Sequence, residues 1–179
     1  MTGVELCIII KASLAWLSPY QEKIACDNAE YIIQQSEKRA IDPLIVTAII
    51  YRESAFSPGV VSKAGACGLT QVLPKYSKYT CGQLKQPRVA IREGVRALSV
   101  WLSWAEGSVG KKGESRSKMD IALCSYNAGF RCIRRPNSRV TKKVMRLYVG
   151  KVKETYLKLK EEFSVRFNRG GSREDKEHN

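Results

Sequence analysis

Histidine is almost missing from this 179-residue chain: the single copy, His178, is the second-to-last residue and sits in a polar tail. A Ser-His-Asp or Cys-His enzyme needs a positioned imidazole, and a histidine-based zinc site needs several. Both classes fall away. No C-x-x-C pair occurs among Cys7, Cys26, Cys67, Cys81, Cys124 and Cys132, which removes a four-cysteine zinc site. The apolar run Val4 to Ile10 is far shorter than the roughly 20 residues that cross a bilayer. Strand-like alternation and internal repeats are absent too. Chemistry here rests on a carboxylate, a Lys, a Tyr or a Cys, with no cofactor and no metal expected.

Acidic residues are scarce as well. Thirty-one Lys and Arg face seventeen Asp and Glu, for a net charge of +14. Between Arg131 and Lys160 stand eleven basic residues and one acid, Glu154. Such a field attracts nucleic acid, anionic lipid or the carboxylate-bearing polymers of a cell wall. No helix-turn-helix, zinc finger or aromatic-rich single-strand motif accompanies it, so specific nucleic-acid binding is not expected. The basic C-terminal region reads as attraction to an anionic wall or membrane surface. The length suits one domain, read as a monomer.

An even cysteine count in a small domain fits disulfides in an oxidising compartment. Cys67 with Cys81 and Cys124 with Cys132 are the natural local pairs, although spacing leaves connectivity open; reduced, buried thiols in a cytosolic protein are the alternative. Ser13-Leu14-Ala15 has the small residues of a signal-peptidase site, while Glu5 and Lys11 count against one. We read residues 1–19 as an export signal or N-terminal hydrophobic segment, ahead of a packed or membrane-associating helix. The domain proper then covers 20–163, and 164–179 is a polar disordered tail.

Helical periodicity predicts an amphipathic helix over 21–40. Asp42 and Pro43 are a cap and first-turn proline for a second helix, apolar all round from Leu44 to Ile50 and continuing through Glu53. A glycine-rich turn follows at 65–68. A long amphipathic helix is expected over 87–105 and a polar loop over 107–118. Asp120 caps or opens the next helix, which Asn127-Ala128-Gly129 closes. A final basic helix covers 143–163. The fold class is all-α.

Glu53 stands near the C-terminal end of the buried helix. Burial and the negative end of the helix dipole both disfavour its ionised form, which suits a general acid. Alone it reads better as a helix-end glutamate that reaches water. Its company changes the reading. Tyr51-Arg52-Glu53-Ser54-Ala55-Phe56 is followed by Ser62-Lys63-Ala64-Gly65-Ala66-Cys67-Gly68-Leu69-Thr70-Gln71 and then Ser125-Tyr126-Asn127-Ala128-Gly129. From about residue 20 to 160 this resembles the catalytic domain of the soluble lytic transglycosylases, relatives of goose-type lysozyme. The resemblance implies a lysozyme-like helical fold and cleavage of the MurNAc-β-1,4-GlcNAc bond of peptidoglycan, leaving 1,6-anhydromuramic acid ends. It also implies a place in the periplasm or cell envelope, or association with a virion.

Position by position, the resemblance implies Glu53 as catalytic acid and base. Ser62 lies where the family has a serine beside the reacting sugar, and Gln71 where it has a groove glutamine. Tyr126 and Asn127 match the pair opposite the glutamate, and Tyr148 matches a tyrosine of the last helix. The residue types suit these places: Gln71 and Asn127 offer donors and acceptors, and Tyr126 an apolar face with a polar tip. Thr70 departs from the usual methionine, Ser125 from the usual alanine, and Cys67 is uncommon. Disulfides among Cys67, Cys81, Cys124 and Cys132 would stiffen the groove. Glu93, Glu106 and Asp120 are candidate second carboxylates outside the motifs. A lysozyme-like hydrolase and an inactive wall-binding or virion component are the competing readings.

Overall fold

Among the described residues, six helices start on a side chain that accepts from the free N–H groups of their first turn. The computed structural model describes residues 1–109 and 114–167. Thr2 caps α1 (Gly3–Ser13), Ser18 caps α2 (Pro19–Glu37) and Asp42 caps α3 (Pro43–Ser54). Thr80 caps the short α4 (Cys81–Leu84), while α5 (Pro87–Glu106) begins on Pro87 without a side-chain cap. Ser117 caps α6 (Lys118–Ala128), with Asp120 accepting in return from the Ser117 N–H. Asp120 therefore completes a capping box rather than opening the helix. After α7 (Arg131–Arg134), Ser138 caps α8 (Arg139–Val144). Each such cap contributes about 1 kcal/mol.

Helix α8 continues through a π-helical turn, Met145–Val149, into α9 (Gly150–Phe167). The basic helix expected over 143–163 is thus longer and carries a wider turn that a 3.6-residue period does not reveal. Residues 164–167 are its last turn, not tail; the rest of the expected tail, and 110–113 of the expected polar loop, lie outside the described residues.

Helix α3 is buried on every side from Leu44 to Ile50, as an apolar run without a polar face requires. Helix α9 packs along it, α5 packs along α6, and α2 touches both α1 and α5. Tyr156 on α9 donates to Asp42 Oδ2 at 2.8 Å, fastening α9 to the start of α3. Beyond isolated bridges joining Val61, Cys67 and Val72, the described residues contain no strand. None of their helices is long and apolar enough to cross a membrane.

Residues 3–13 form α1, which packs against α2. Leu6, Ile9 and Ile10 on α1 are fully buried in the main core. A disulfide joins Cys7 to Cys26 on α2 with Cα atoms 4.7 Å apart, and the Gly3 N–H donates to Glu30 Oε2. A Cβ at Gly3 would sit 2.8 Å from Glu30 Cβ. The apolar residues that resemble a signal core serve here as one face of a helix pair.

Candidate active site

Glu53 occupies the last turn of α3, where the chain turns sharply. Ala55 and Phe56 both adopt left-handed backbone, with φ of 47° and 60°, and Phe56 is fully buried. Two non-glycine residues in this region are held only where the surroundings fix them. Ser54 helps: its hydroxyl donates to Leu69 O at 2.8 Å, tying the end of α3 to the following loop. Tyr148, on the π turn, donates to Glu53 Oε1 at 2.5 Å. Burial pushes the Glu53 carboxyl up to about 7, against the Tyr148 hydrogen bond and the Arg52 charge, which both lower it. A carboxyl that titrates near 7 is present in both forms at neutral pH, as a group serving as acid and then base requires.

The loop from Val60 to Val72 forms the neighbouring wall. Ser62 Oγ accepts from the Ala66 N–H at 3.0 Å, closing a turn whose tip is Gly65. Gly68 has φ of +76°, and a Cβ there would lie 1.9 Å from Leu84 O. Only glycine fits both conditions. A disulfide from Cys67 to Cys81 pins this loop to α4. Thr70 is buried; its hydroxyl donates to Ala90 O at 2.8 Å, and its own carbonyl accepts the Tyr126 hydroxyl at 2.8 Å. Gly94 lets α5 approach so closely that a Cβ would sit 2.5 Å from Thr70 Cβ.

The six expected site residues land unequally. Glu53 and Tyr148 meet directly; burial first, and the Glu53 charge after it, pushes the Tyr126 phenol up. Tyr126 does not leave its polar tip free for a sugar, as its residue type suggested; the hydroxyl clamps α6 to Thr70. Gln71, at φ of 49°, uses its amide N–H groups on Val60 O and Gly68 O, at 3.1 and 2.9 Å. Asn127 lies exposed on the last turn of α6. Among the described residues, neither Ser62 nor Asn127 hydrogen-bonds Glu53.

The candidate second carboxylates are engaged elsewhere. Buried Glu93 accepts Ser77 Oγ at 2.9 Å and pairs with Arg96 at 3.1 Å. Glu106 pairs with Lys118, and Asp120 with Lys153 at 2.8 Å. Of cysteine bridges, both expected local pairs are present, Cys67–Cys81 and Cys124–Cys132. Among the described residues, no cluster of three His, Cys, Asp or Glu side chains has the arrangement of a metal site.

A family model described as the Transglycosylase SLT domain matches residues 30–149, a span that includes every expected site residue. The chain belongs to this family. A Klebsiella pneumoniae protein, endo-type membrane-bound lytic murein transglycosylase A, is 33% identical over 98 residues, covering 46% of this chain and 48% of that protein. Membrane-bound lytic murein transglycosylase F of Photobacterium profundum is 32% identical over 87 residues, covering 48% of this chain and 16% of the other. The chain thus spans about half the length of the Klebsiella relative. The X-ray structure of an inactive glutamate-to-glutamine mutant of lytic transglycosylase Slt from Pseudomonas aeruginosa superposes with a TM-score of 0.62 at 21% identity. That match covers 89% of this chain and 30% of the other, and shows that the fold is the expected lysozyme-like helical one.

Several residues that shape this SLT domain escape a motif reading. The Cys7–Cys26 bridge pairs residues whose 19-residue separation carries no motif. Gly94 in the middle of α5 is the one legible clue to a close approach, since glycine there weakens a helix unless something packs against it. Thr70, a departure from the family pattern, is the hub between α5 and α6.

Proposed function

We propose that this SLT domain is a lytic transglycosylase that cleaves the MurNAc-β-1,4-GlcNAc bond of peptidoglycan, with Glu53 as acid and then base. One observation supports it above the others: a single carboxyl, raised to about 7 by burial, with one oxygen held by Tyr148 and the other left for substrate. Protonated on that free oxygen, Glu53 donates to the bridging oxygen as the C1–O bond breaks. The substrate's acetamido oxygen stabilises the cationic C1. The carboxylate then takes the proton from the muramoyl C6 hydroxyl as O6 attacks C1. A 1,6-anhydro ring forms, and Glu53 is protonated again. No water is consumed. The internal hydroxyl has the advantage of an intramolecular nucleophile. Hydrolases usually flank the bond with two carboxylates, and the three other candidates here are bonded to Ser77, Arg96, Lys118 or Lys153.

Tyr148 acts in this reading as a positioning residue for Glu53. Ser62, Gln71 and Asn127 line the path of the glycan, Gln71 through its side-chain carbonyl because its N–H groups are occupied. Tyr126 offers its ring to a pyranose. The expected place of action is the cell envelope, where the basic face of 131–160 meets anionic wall or membrane, and the expected state is monomeric.

The experiment is mass spectrometry of peptidoglycan digested by the wild type and by Glu53→Gln. The expected products end in 1,6-anhydromuramic acid and fall by about 10²–10⁴-fold in the mutant, the usual contribution of a general acid and base. Reducing muramic ends would point to a hydrolase. Intact glycan after treatment with folded wild type would leave a wall-binding module.

A further inference from the structure

A cavity of about 530 Å³ opens between the Tyr76–Tyr79 segment, the turn after α2 and α5. Arg39, Lys78, Arg92 and Arg96 line it against one carboxylate, Glu93. That carboxylate is already engaged by Ser77 and Arg96. Among the described residues, Arg39, Lys78 and Arg92 have no carboxylate within ion-pair distance. Arg39 and Arg92 are half-buried, so water compensates their charges less than it would on an open surface. Cations gathered in a concavity focus a positive field, and an anion completes it.

Arg92 and Arg96 are held in place before any ligand arrives. Arg92 donates to the Tyr79 hydroxyl, and Arg92 and Lys78 both lie over the Tyr79 ring, at 5.2 and 5.3 Å. Arg96 donates to Tyr76 O at 3.2 Å, and Ser77 Oγ accepts the Tyr79 N–H at 3.1 Å. The cavity connects through α5 to the Thr70–Tyr126 contact. Arg92 and Arg96 lie on the turns of α5 that carry Ala90 and Gly94, the residues holding Thr70, and Thr70 in turn holds Tyr126.

We propose that this cavity docks the acidic peptide borne by a glycan strand whose sugar chain lies at Glu53. Separate guanidinium forks suit planar carboxylates, which they bind through paired hydrogen bonds. Tyr76, exposed at the rim, offers ring area to the apolar part of a short peptide. A glycan carrying such peptides would be held by two kinds of contact, sugar in the groove and carboxylates in the cavity. The inference rests on the reading of this domain as a glycan-cleaving enzyme, but peptide binding can be measured apart from cleavage.

The first probe is a synthetic stem tetrapeptide with free side-chain and C-terminal carboxylates, titrated into the full chain by isothermal calorimetry. Binding is expected to weaken at least tenfold in R39Q/R92Q, and at least tenfold when the peptide's carboxylates are amidated. Equal binding of the amidated peptide, indifference to R39Q/R92Q, or no binding to the wild type would overturn the proposal. Inorganic phosphate competing on equal molar terms would also overturn it, by making the site a general anion hole. The second measurement compares kcat/KM on peptide-bearing and peptide-stripped glycan. The wild type is expected to favour the former about tenfold, and R39Q/R92Q to lose that ratio; an unchanged ratio overturns the proposal. Peptide binding by a protein that cleaves neither glycan would sink the transglycosylase reading while supporting the cavity.

Discussion

Tyr148 and Glu53, 95 residues apart in sequence, meet with phenol oxygen and carboxylate oxygen 2.5 Å apart. Eight residues further on, Tyr156 reaches Asp42 at the other end of α3. The segment that includes the π turn and α9 thus grips the buried helix at its cap and at its Glu53 end. The π turn matters to the first contact, because a wider turn shifts the direction of the side chains it carries, and such turns recur at functional sites.

Replacing Tyr148 by Phe removes a hydrogen bond that favours the Glu53 carboxylate. The Glu53 pKa should rise above its value of about 7, moving the alkaline limb of the pH–rate profile to higher pH. The kcat should fall about tenfold, the scale of one charge-assisted hydrogen bond. A pH–rate profile with its alkaline limb unmoved would show that Tyr148 does not tune the acid.

Glu53 should make stability depend on pH. Its folded value, about 7, exceeds the 4.5 of an exposed glutamate, so the folded chain binds the extra proton between these values. Its contribution is fully present below pH 4.5 and is lost as pH rises through 7. The wild type should lose up to about 3 kcal/mol relative to Glu53→Gln over that window. Chemical denaturation of both proteins at about pH 4 and about pH 8, on either side of the window, measures the difference; parallel behaviour would place Glu53 in water.

The Cys124–Cys132 disulfide encloses Tyr126 and Asn127. Removing it in C124S/C132S should cost about 2–3 kcal/mol by the loop-entropy estimate, and should lower kcat by loosening the end of α6. Denaturant midpoints and turnover on glycan are the readouts. Intact mass before and after reduction and alkylation should show all six cysteines bridged in the untreated protein.

Gly68→Ala and Gly94→Ala should behave differently from substitutions at open glycines such as Gly59. A Cβ at residue 68 meets the Leu84 carbonyl in a left-handed backbone, and one at residue 94 meets Thr70. Each should destabilise by about 1–3 kcal/mol or more through overpacking. Thermal melts of the three variants test this, with Gly59→Ala near neutral.

Much of the fold is legible in local chemistry. Asp42 and Pro43 mark the start of α3, its continuous apolar run marks it as buried, and Glu53 follows from its place at the end of that run. The motif segments around Ser62, Gln71 and Tyr126 are legible because each is a short stretch of sequence. Other features are not local. The Val4–Ile10 run is equally good as a leader or as a packed helix face; in this structure it packs on α2, with Cys7 bridged to Cys26.

Read locally, the residues point to an all-helical domain, its helix starts, and a glutamate at the end of a buried helix. Those depend on capping, periodicity and the cost of burying charge, all of which act within a few turns of chain. Packing between distant segments brings Tyr148 to one oxygen of that glutamate and the Tyr126 hydroxyl to the Thr70 carbonyl. It also makes Arg39, Arg92 and Lys78 converge on one cavity. These are contacts between segments far apart in sequence, set by how helices pack, and no local rule encodes where a packed helix brings its side chains.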